Sequence, residues 1–157
     1  MPLLIRDASN RDLEEMTALL TSLGLPTSDV SEHSAEFVIA EDGGVIVASA
    51  GTEVYGTCAL LRSVAVRPDY QGQGVARRLV QRLLDRARRN GVRQVYLLTT
   101  TAASYFQHLG FAPVSREQVD QGVQASQEFR ELCCDSAVAM MRTLTQSGKG
   151  GDTHEER

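Results

Sequence analysis

Long apolar runs and a cysteine framework are what this 157-residue chain lacks, and no leader segment is expected. No apolar stretch reaches the length a membrane-crossing helix needs. The opening, Met1-Pro2-Leu3-Leu4-Ile5-Arg6-Asp7, has neither the basic start nor the apolar core of a signal peptide. A cytoplasmic protein is therefore expected. Cysteine is scarce: Cys58, Cys133 and Cys134 are the three present. An odd count without a leader argues against a disulfide scaffold, and adjacent cysteines bridge only with a strained backbone. The Cys133-Cys134 pair also lacks the spacing and histidine partners of a metal site, so no metal is expected. Cys58 sits in an apolar run and reads as a buried thiol.

Basic residues are scarce in the first part of the chain. Residues 1–61 hold two arginines, Arg6 and Arg11, against ten acids. Residues 62–100 reverse this, with nine arginines against Asp69 and Asp85. The whole chain carries a net charge of -4. A basic middle in an acidic protein implies a local anionic ligand, not general adhesion to nucleic acid. Several of these arginines, Arg82, Arg86 and Arg89 among them, are also explained as the solvated side of one helix.

What is present is enough apolar residue, 42%, for a sizeable core in one domain. Periodicity divides the chain as follows. Leu3 to Arg6 suits a short strand. Ser9, with Asp12 three residues on, caps a helix whose Leu13, Met16, Leu19, Leu20 and Leu23 keep helical spacing, and Gly24 ends it. Phe37 to Ala40 and Val45 to Ala50 read as a hairpin about Glu41 to Gly44. A strand covers Cys58 to Val66 and stops at Pro68. A helix then runs from Gly74 to about Asn90 with Val75, Leu79, Val80, Leu83, Leu84 and Ala87 on one side. A strand at Val95 to Leu98, a short helix over 102–109, a brief strand at Phe111 to Val114, a helical stretch from Ser115 through Phe129 and Leu132, and a final strand from Ser136 to Leu144 follow. Residues 1–145 are expected to form a single domain and 146–157 a disordered tail. The order of elements implies an α/β (α+β) fold: a mixed sheet with helices on its faces.

The most specific motif is Val64-Ala65-Val66-Arg67-Pro68-Asp69-Tyr70-Gln71-Gly72-Gln73-Gly74-Val75-Ala76. A buried strand enters a glycine-bearing turn that opens a long helix. Free N–H groups at such a helix start hold phosphate oxygens, helped by the helix dipole. Arg77 and Arg78 in the first turn are unfavourable against that dipole unless an anion is bound. The dinucleotide fingerprint does not fit, because its third glycine is Arg77 here. The P-loop does not fit either, because its Lys-Ser/Thr pair is missing.

Gln71-Gly72-Gln73-Gly74-Val75-Ala76 resembles the acyl-CoA pyrophosphate signature of the GNAT N-acetyltransferases, [Q/R]-x-x-G-x-[G/A]. Tyr105-Phe106-Gln107-His108-Leu109-Gly110-Phe111 resembles that family's later helix-to-strand motif. Within the family, three segments are most similar to the N-acetyltransferases of arsenic-resistance operons. They are Leu61-Arg62-Ser63-Val64-Ala65-Val66, Leu98-Thr99-Thr100-Thr101-Ala102 and Phe129-x-x-Leu132-Cys133-x-x-Ser136-Ala137. The same segments resemble the acetyltransferase part of N-acetylglutamate synthases.

The resemblance implies a mixed, mostly antiparallel sheet with helices on both faces and a splayed central strand pair. It implies acetyl-CoA as cosubstrate and a small amine as acceptor. It assigns the coenzyme to Val64, Ala65 and Val66 for the pantetheine arm and to Gln71, Gly72, Gln73, Gly74, Val75, Ala76 and Arg77 for the pyrophosphate. Thr101 and Phe106 are counted with these contacts.

Glu53 is the nearest acid before the central strand and the candidate base, although a solvated hairpin glutamate explains it as well. The family's usual thiolate-protonating tyrosine position holds Phe106. Tyr105 is the remaining candidate acid, offset by about 100° on the helix. Arg62, on the face of Val64 and Val66 by strand alternation, is either a clamp for an anionic acceptor or half of an ion pair with an acid such as Glu53. Tyr55 and Thr99 complete the expected acceptor contacts. A non-catalytic acyl-CoA-binding module on the same fold is the alternative that Phe106 favours. A homodimer through an exposed final strand is a further expectation.

Overall fold

The structure is a computed structural model, and it describes residues 3–25, 27, 36–100, 102–124 and 137–144. Seven strands form one sheet: β1 (Leu4–Asp7), β2 (Phe37–Asp42), β3 (Val45–Tyr55), β4 (Cys58–Val66), β5 (Gln94–Thr99), β6 (Ala112–Pro113) and β7 (Val138–Thr143). Their order across the sheet is β1-β2-β3-β4-β5-β7-β6. All neighbours are antiparallel except β4 and β5. Among the described residues, four α-helices accompany them: α1 (Leu13–Ser22), α2 (Val75–Arg89), α3 (Ala103–His108) and α4 (Gln121–Gln124). The mixed, mostly antiparallel sheet with helices on both faces is the expected fold. No helix among the described residues is long and apolar enough to cross a membrane.

The two sheet faces are legible from strand alternation. On one face Val38, Ala40, Ala48, Leu61 and Val66 pack with Val75, Leu79, Val80, Leu83 and Leu84 of α2. On the other, Phe37, Ile39 and Ala65 pack with Met16, Leu19 and Leu20 of α1. Cys58, Leu60, Tyr96 and Leu98 continue that second face beneath Val119 and Val123. The helix start at Ser9 and Asp12 forms as expected: the Ser9 backbone N–H donates to the Asp12 carboxylate at 2.7 Å. Arg6 donates to both oxygens of the same carboxylate and holds its pKa well below the usual range, more strongly than burial raises it.

Four expectations need correction. Strand β3 runs on to Tyr55 rather than ending at Ala50. Gly51 and two polar residues, Thr52 and Glu53, disguised its second half, yet all three are buried. The final strand is not an open edge, because β5 and the two-residue β6 flank it. The short strand at Phe111 to Val114 shrinks to Ala112–Pro113. The expected helical stretch from Ser115 is divided: a 3-10 turn at Arg116–Gln118, capped by Ser115, precedes α4. Its remainder with Phe129 and Leu132, Cys133, Cys134, Thr101 and the tail over 146–157 lie outside the described residues.

Gly51 illustrates how tightly β2 and β3 meet. A Cβ built there would lie 2.8–2.9 Å from the ring of Phe37, which is fully buried. Phe37 is therefore seated where β3 has no side chain. Gly51→Ala should destabilise the protein by about 1–3 kcal/mol through overpacking. Urea unfolding monitored by circular dichroism measures this, and an unchanged midpoint would show that the ring moves freely.

Candidate active site

Strands β4 and β5 pair over only three residues, Cys58 to Leu60 with Gln94 to Tyr96. Past Leu60, β4 continues for six residues and β5 continues to Thr99, but no further pairing joins them. The side of β4 facing β5 thus opens into a wedge, as the splayed pair requires. Beyond the wedge, β4 leads through a 3-10 turn at Pro68–Tyr70 into the glycine turn and α2.

A β-bulge lies at the mouth of this wedge. Opposite β3 the register passes from Ser49↔Ala65 to Gly51↔Arg62, so Ser63 and Val64 together face Ala50. Ser63 takes a φ of 58°, the sole positive value at a non-glycine among the described residues. The strained serine is fixed by its neighbours: its carbonyl accepts from Ser49 Oγ at 3.0 Å, and its own Oγ accepts from Arg62 Nε at 3.2 Å.

The bulge overturns one expectation. Simple alternation puts Arg62 on the face of Val64 and Val66, but the extra residue reverses the phase. Leu61, Val64 and Val66 lie against the α2 cluster. Arg62 lies on the opposite face, in register with Gly51 and so on the side of Phe37.

There Arg62 meets Glu53. The Arg62 Nη1 donates to Glu53 Oε2, and the Tyr55 hydroxyl donates to Glu53 Oε1. Arg62 and Glu53 are each 2% exposed. Glu53 is therefore no solvated hairpin residue, and the ion pair weighed for Arg62 is present. The sheet brings together Glu53, Tyr55, Arg62 and Ser63 at the wedge. Gly122 of α4 closes in on Tyr55, where a Cβ would come within 3.2 Å of the tyrosine Cβ.

Thr99 is buried at the end of β5, where its Oγ1 accepts from the Ala102 N–H at 3.0 Å and turns the chain toward α3. On α3, neighbouring side chains part company. Phe106 is 7% exposed and packs edge-on against Phe111, so its immediate role is in the core. Tyr105 is 41% exposed. Desolvation raises its phenol above the ordinary tyrosine value, while the charge of Arg77 pulls the other way. His108 is exposed and contacts the Ser104 carbonyl, as a helix-surface residue does.

The glycine turn supplies the other end of the site. Gly72 and Gly74 have φ of 80° and 81°, and a Cβ at either would meet no atom within 4 Å. They are needed for the left-handed backbone, not for want of room inside the protein. The first helical bond runs from Arg78 N–H to Gly74 carbonyl at 3.1 Å. The N–H groups of Val75, Ala76 and Arg77 thus lie in the unpaired first turn, suited to phosphate oxygens. Gln71 turns inward, its Nε2 donating to the Val66 carbonyl at 2.9 Å.

Sequence reasoning missed the anchor of this turn. The Tyr70 hydroxyl donates to Asp42 Oδ2 at 2.5 Å, and Arg67 sits over the Tyr70 ring at 5.5 Å. The bond to Asp42 raises the tyrosine pKa. No local pattern joins positions 42 and 70, so the signal was absent from the sequence.

Residues 3–111 match the profile of the acetyltransferase (GNAT) family. An amino-acid acetyltransferase of Ectopseudomonas mendocina is 32% identical over 124 residues, covering 73% of this chain and 29% of that protein. An uncharacterized N-acetyltransferase of Chlorobaculum tepidum is 25% identical over 119 residues, covering 74% of this chain and 76% of that protein. In structure, the N-acetylglutamate synthase of Neisseria gonorrhoeae, complexed with coenzyme A and N-acetyl-glutamate, superposes with a TM-score of 0.81 at 23% identity. That match covers 92% of this chain and 36% of the synthase. The chain thus spans about a third of these longer amino-acid enzymes.

The buried pair yields a direct test. Glu53→Gln removes the carboxylate opposite a buried guanidinium and should cost about 3–5 kcal/mol of stability. The double variant Glu53→Gln with Arg62→Met should recover part of that loss in urea unfolding. Equal stability of wild type and Glu53→Gln would mean that the pair does not form.

Proposed function

Since the chain belongs to the acetyltransferase (GNAT) family, which acetyl-CoA fits as cosubstrate, we propose that it acetylates a small, anionic, amino-acid-like amine. The observation that carries this reading is the wedge between β4 and β5, which ends at the glycine turn. An extended amide-bearing arm can pair with the β4 backbone at Val64, Ala65 and Val66, as an added strand does. Its pyrophosphate then reaches Gln71–Arg77, where the first-turn N–H groups and Arg77 meet it.

In the proposed reaction the acceptor nitrogen attacks the thioester carbonyl carbon. A C–N bond forms and the C–S bond breaks. The amine's proton passes through water to Glu53, with Tyr55 bonded to the same carboxylate. The departing thiolate takes a proton chiefly from water, because Phe106 fills the usual acid position and Tyr105 is offset on the helix. Arg62, oriented by Glu53 and Ser63, pairs with the acceptor's carboxylate, and Thr99 borders it. The amino-acid acetyltransferases among the relatives support this acceptor class. The likeness to arsenic-resistance N-acetyltransferases extends the proposed acceptors to arsinic and phosphinic amino-acid analogues. On this reading the reaction takes place in the cytoplasm. The non-catalytic alternative, favoured by Phe106, gives acetyl-CoA binding without thiol release toward any amine.

Two measurements test these roles. Gly74→Val forces a β-branched residue into left-handed backbone and should weaken acetyl-CoA binding by about tenfold or more in calorimetry. Unchanged affinity would remove the glycine turn from the coenzyme site. For the acceptor, Arg62→Lys should lower kcat/KM for acidic amines by about tenfold to a hundredfold, while neutral amines lose far less. Tyr105→Phe should change kcat only slightly. Equal losses on both acceptor types, or lost stability alone, would leave Arg62 as a purely structural partner of Glu53.

A further inference from the structure

Helix α2 carries six arginines and one aspartate in fifteen residues. The family reading uses the first of these, Arg77, and leaves the others without a role. Along the outer side of the helix runs a trough of about 810 Å³. Arg77, Arg78, Arg82, Arg86 and Arg89 line it, with Asp7 and Asp85 as its acids and Ile5 as its apolar contact. Asp7 reaches across from β1 to Arg86 at 2.5 Å and Arg82 at 3.5 Å. Asp85 is engaged by Arg88 at 3.0 Å. The trough therefore stays cationic, in a chain whose net charge is negative. Like charges at helical spacing repel, and arginines in the first turn oppose the dipole. A bound anion offsets both costs.

The shape and chemistry of the trough indicate what kind of anion. From Arg77 to Arg89 the helix rises about 18 Å, the length of five or six extended residues. Arg78, Arg82 and Arg86 recur every four residues, about 6 Å of helical rise, near the roughly 6.6 Å between alternate side chains on a strand. One wall is β1, which among the described residues pairs with β2 alone and ends the sheet. An edge strand offers backbone groups that a polypeptide can use and a polynucleotide cannot. No aromatic side chain lines the trough for a base to stack on. Asp7 and Asp85 would repel a continuous phosphate backbone, whereas spaced carboxylates can avoid them.

We propose that the α2 trough is a docking surface for an extended, acidic polypeptide segment of a partner protein. Its alternate carboxylates pair with Arg78, Arg82, Arg86 and Arg89. Apart from Arg77 at one end, which the coenzyme pyrophosphate also meets, the site is separate from acetyl transfer, and it adds a protein partner to the small-molecule chemistry of the wedge.

The test uses the full chain and a fluorescein-labelled eight-residue peptide of alternating glutamate and serine, followed by anisotropy. A peptide of alternating glutamine and serine is the neutral control. Saturable binding of the acidic peptide, weakened about tenfold or more by Arg82→Gln, Arg86→Gln and Arg89→Gln together, is expected. Acetyl-CoA affinity and the circular dichroism spectrum of that triple variant should match wild type, and saturating acetyl-CoA should not displace the peptide. Four results would overturn the proposal: no preference over the neutral peptide, no effect of the triple variant, displacement by acetyl-CoA, or tighter binding of a thymidine oligonucleotide of equal charge.

Discussion

Parting of β4 from β5 is the constraint on which the rest of this structure depends. Three parallel pairs join the two strands, and then hydrogen bonding between them stops. An opened sheet loses ladder bonds and exposes backbone polar groups, which is costly unless something else pairs with them. The surroundings keep the opening from closing. Helix α2 packs across β2, β3 and β4 on one face through Leu79, Val80, Leu83 and Leu84. On the other face the Val119 and Val123 cluster covers Leu60 and Leu98, one on each side of the gap. The bulge at Ser63 bends β4 at that same point.

The bulge also explains where polar groups are buried. With alternation intact along β4, Val64 and Val66 would share the face of Arg62; the extra residue turns them to α2 instead. Arg62 stays on the side of Glu53, two residues beyond Gly51 on β3, and the pair is completed by Tyr55 and Ser63. Buried ion pairs gain little net stability over apolar packing, so their presence is better explained by what they fix than by how much they stabilise. This one fixes a guanidinium and a carboxylate at the mouth of the wedge.

Much of this was readable in advance, and the failures share a cause. Cys58 to Val66, the helix from Val75, and the cap at Ser9 and Asp12 follow local rules of periodicity and capping, and each forms where those rules put it. The second half of β3 was hidden because Gly51, Thr52 and Glu53 carry little apolar signal. Their burial follows from partners distant in sequence, namely Phe37, Leu61 and Arg62. Ser63 gave no warning of its left-handed backbone, since glycine or asparagine is the usual sign. The Tyr70–Asp42 bond spans 28 positions and lay beyond any local pattern. The glycine turn could be read because its backbone demand is local; the Glu53–Arg62 pair could only be weighed as one of two options.

The narrow seam between β4 and β5 has a consequence for how such a protein can diverge. The family profile ends at Phe111, before Val119, α4 and β7. The strands and helix that lead into the glycine turn all lie on the near side of that seam, except where β5 meets it. On the far side, Val123 packs in one cluster with Leu60, and the backbone at Gly122 approaches Tyr55. Drift in the far portion can therefore reshape the wall of the wedge while the turn that opens α2 stays untouched. A lineage built this way can remodel that wall piecemeal and inherit the rest unchanged.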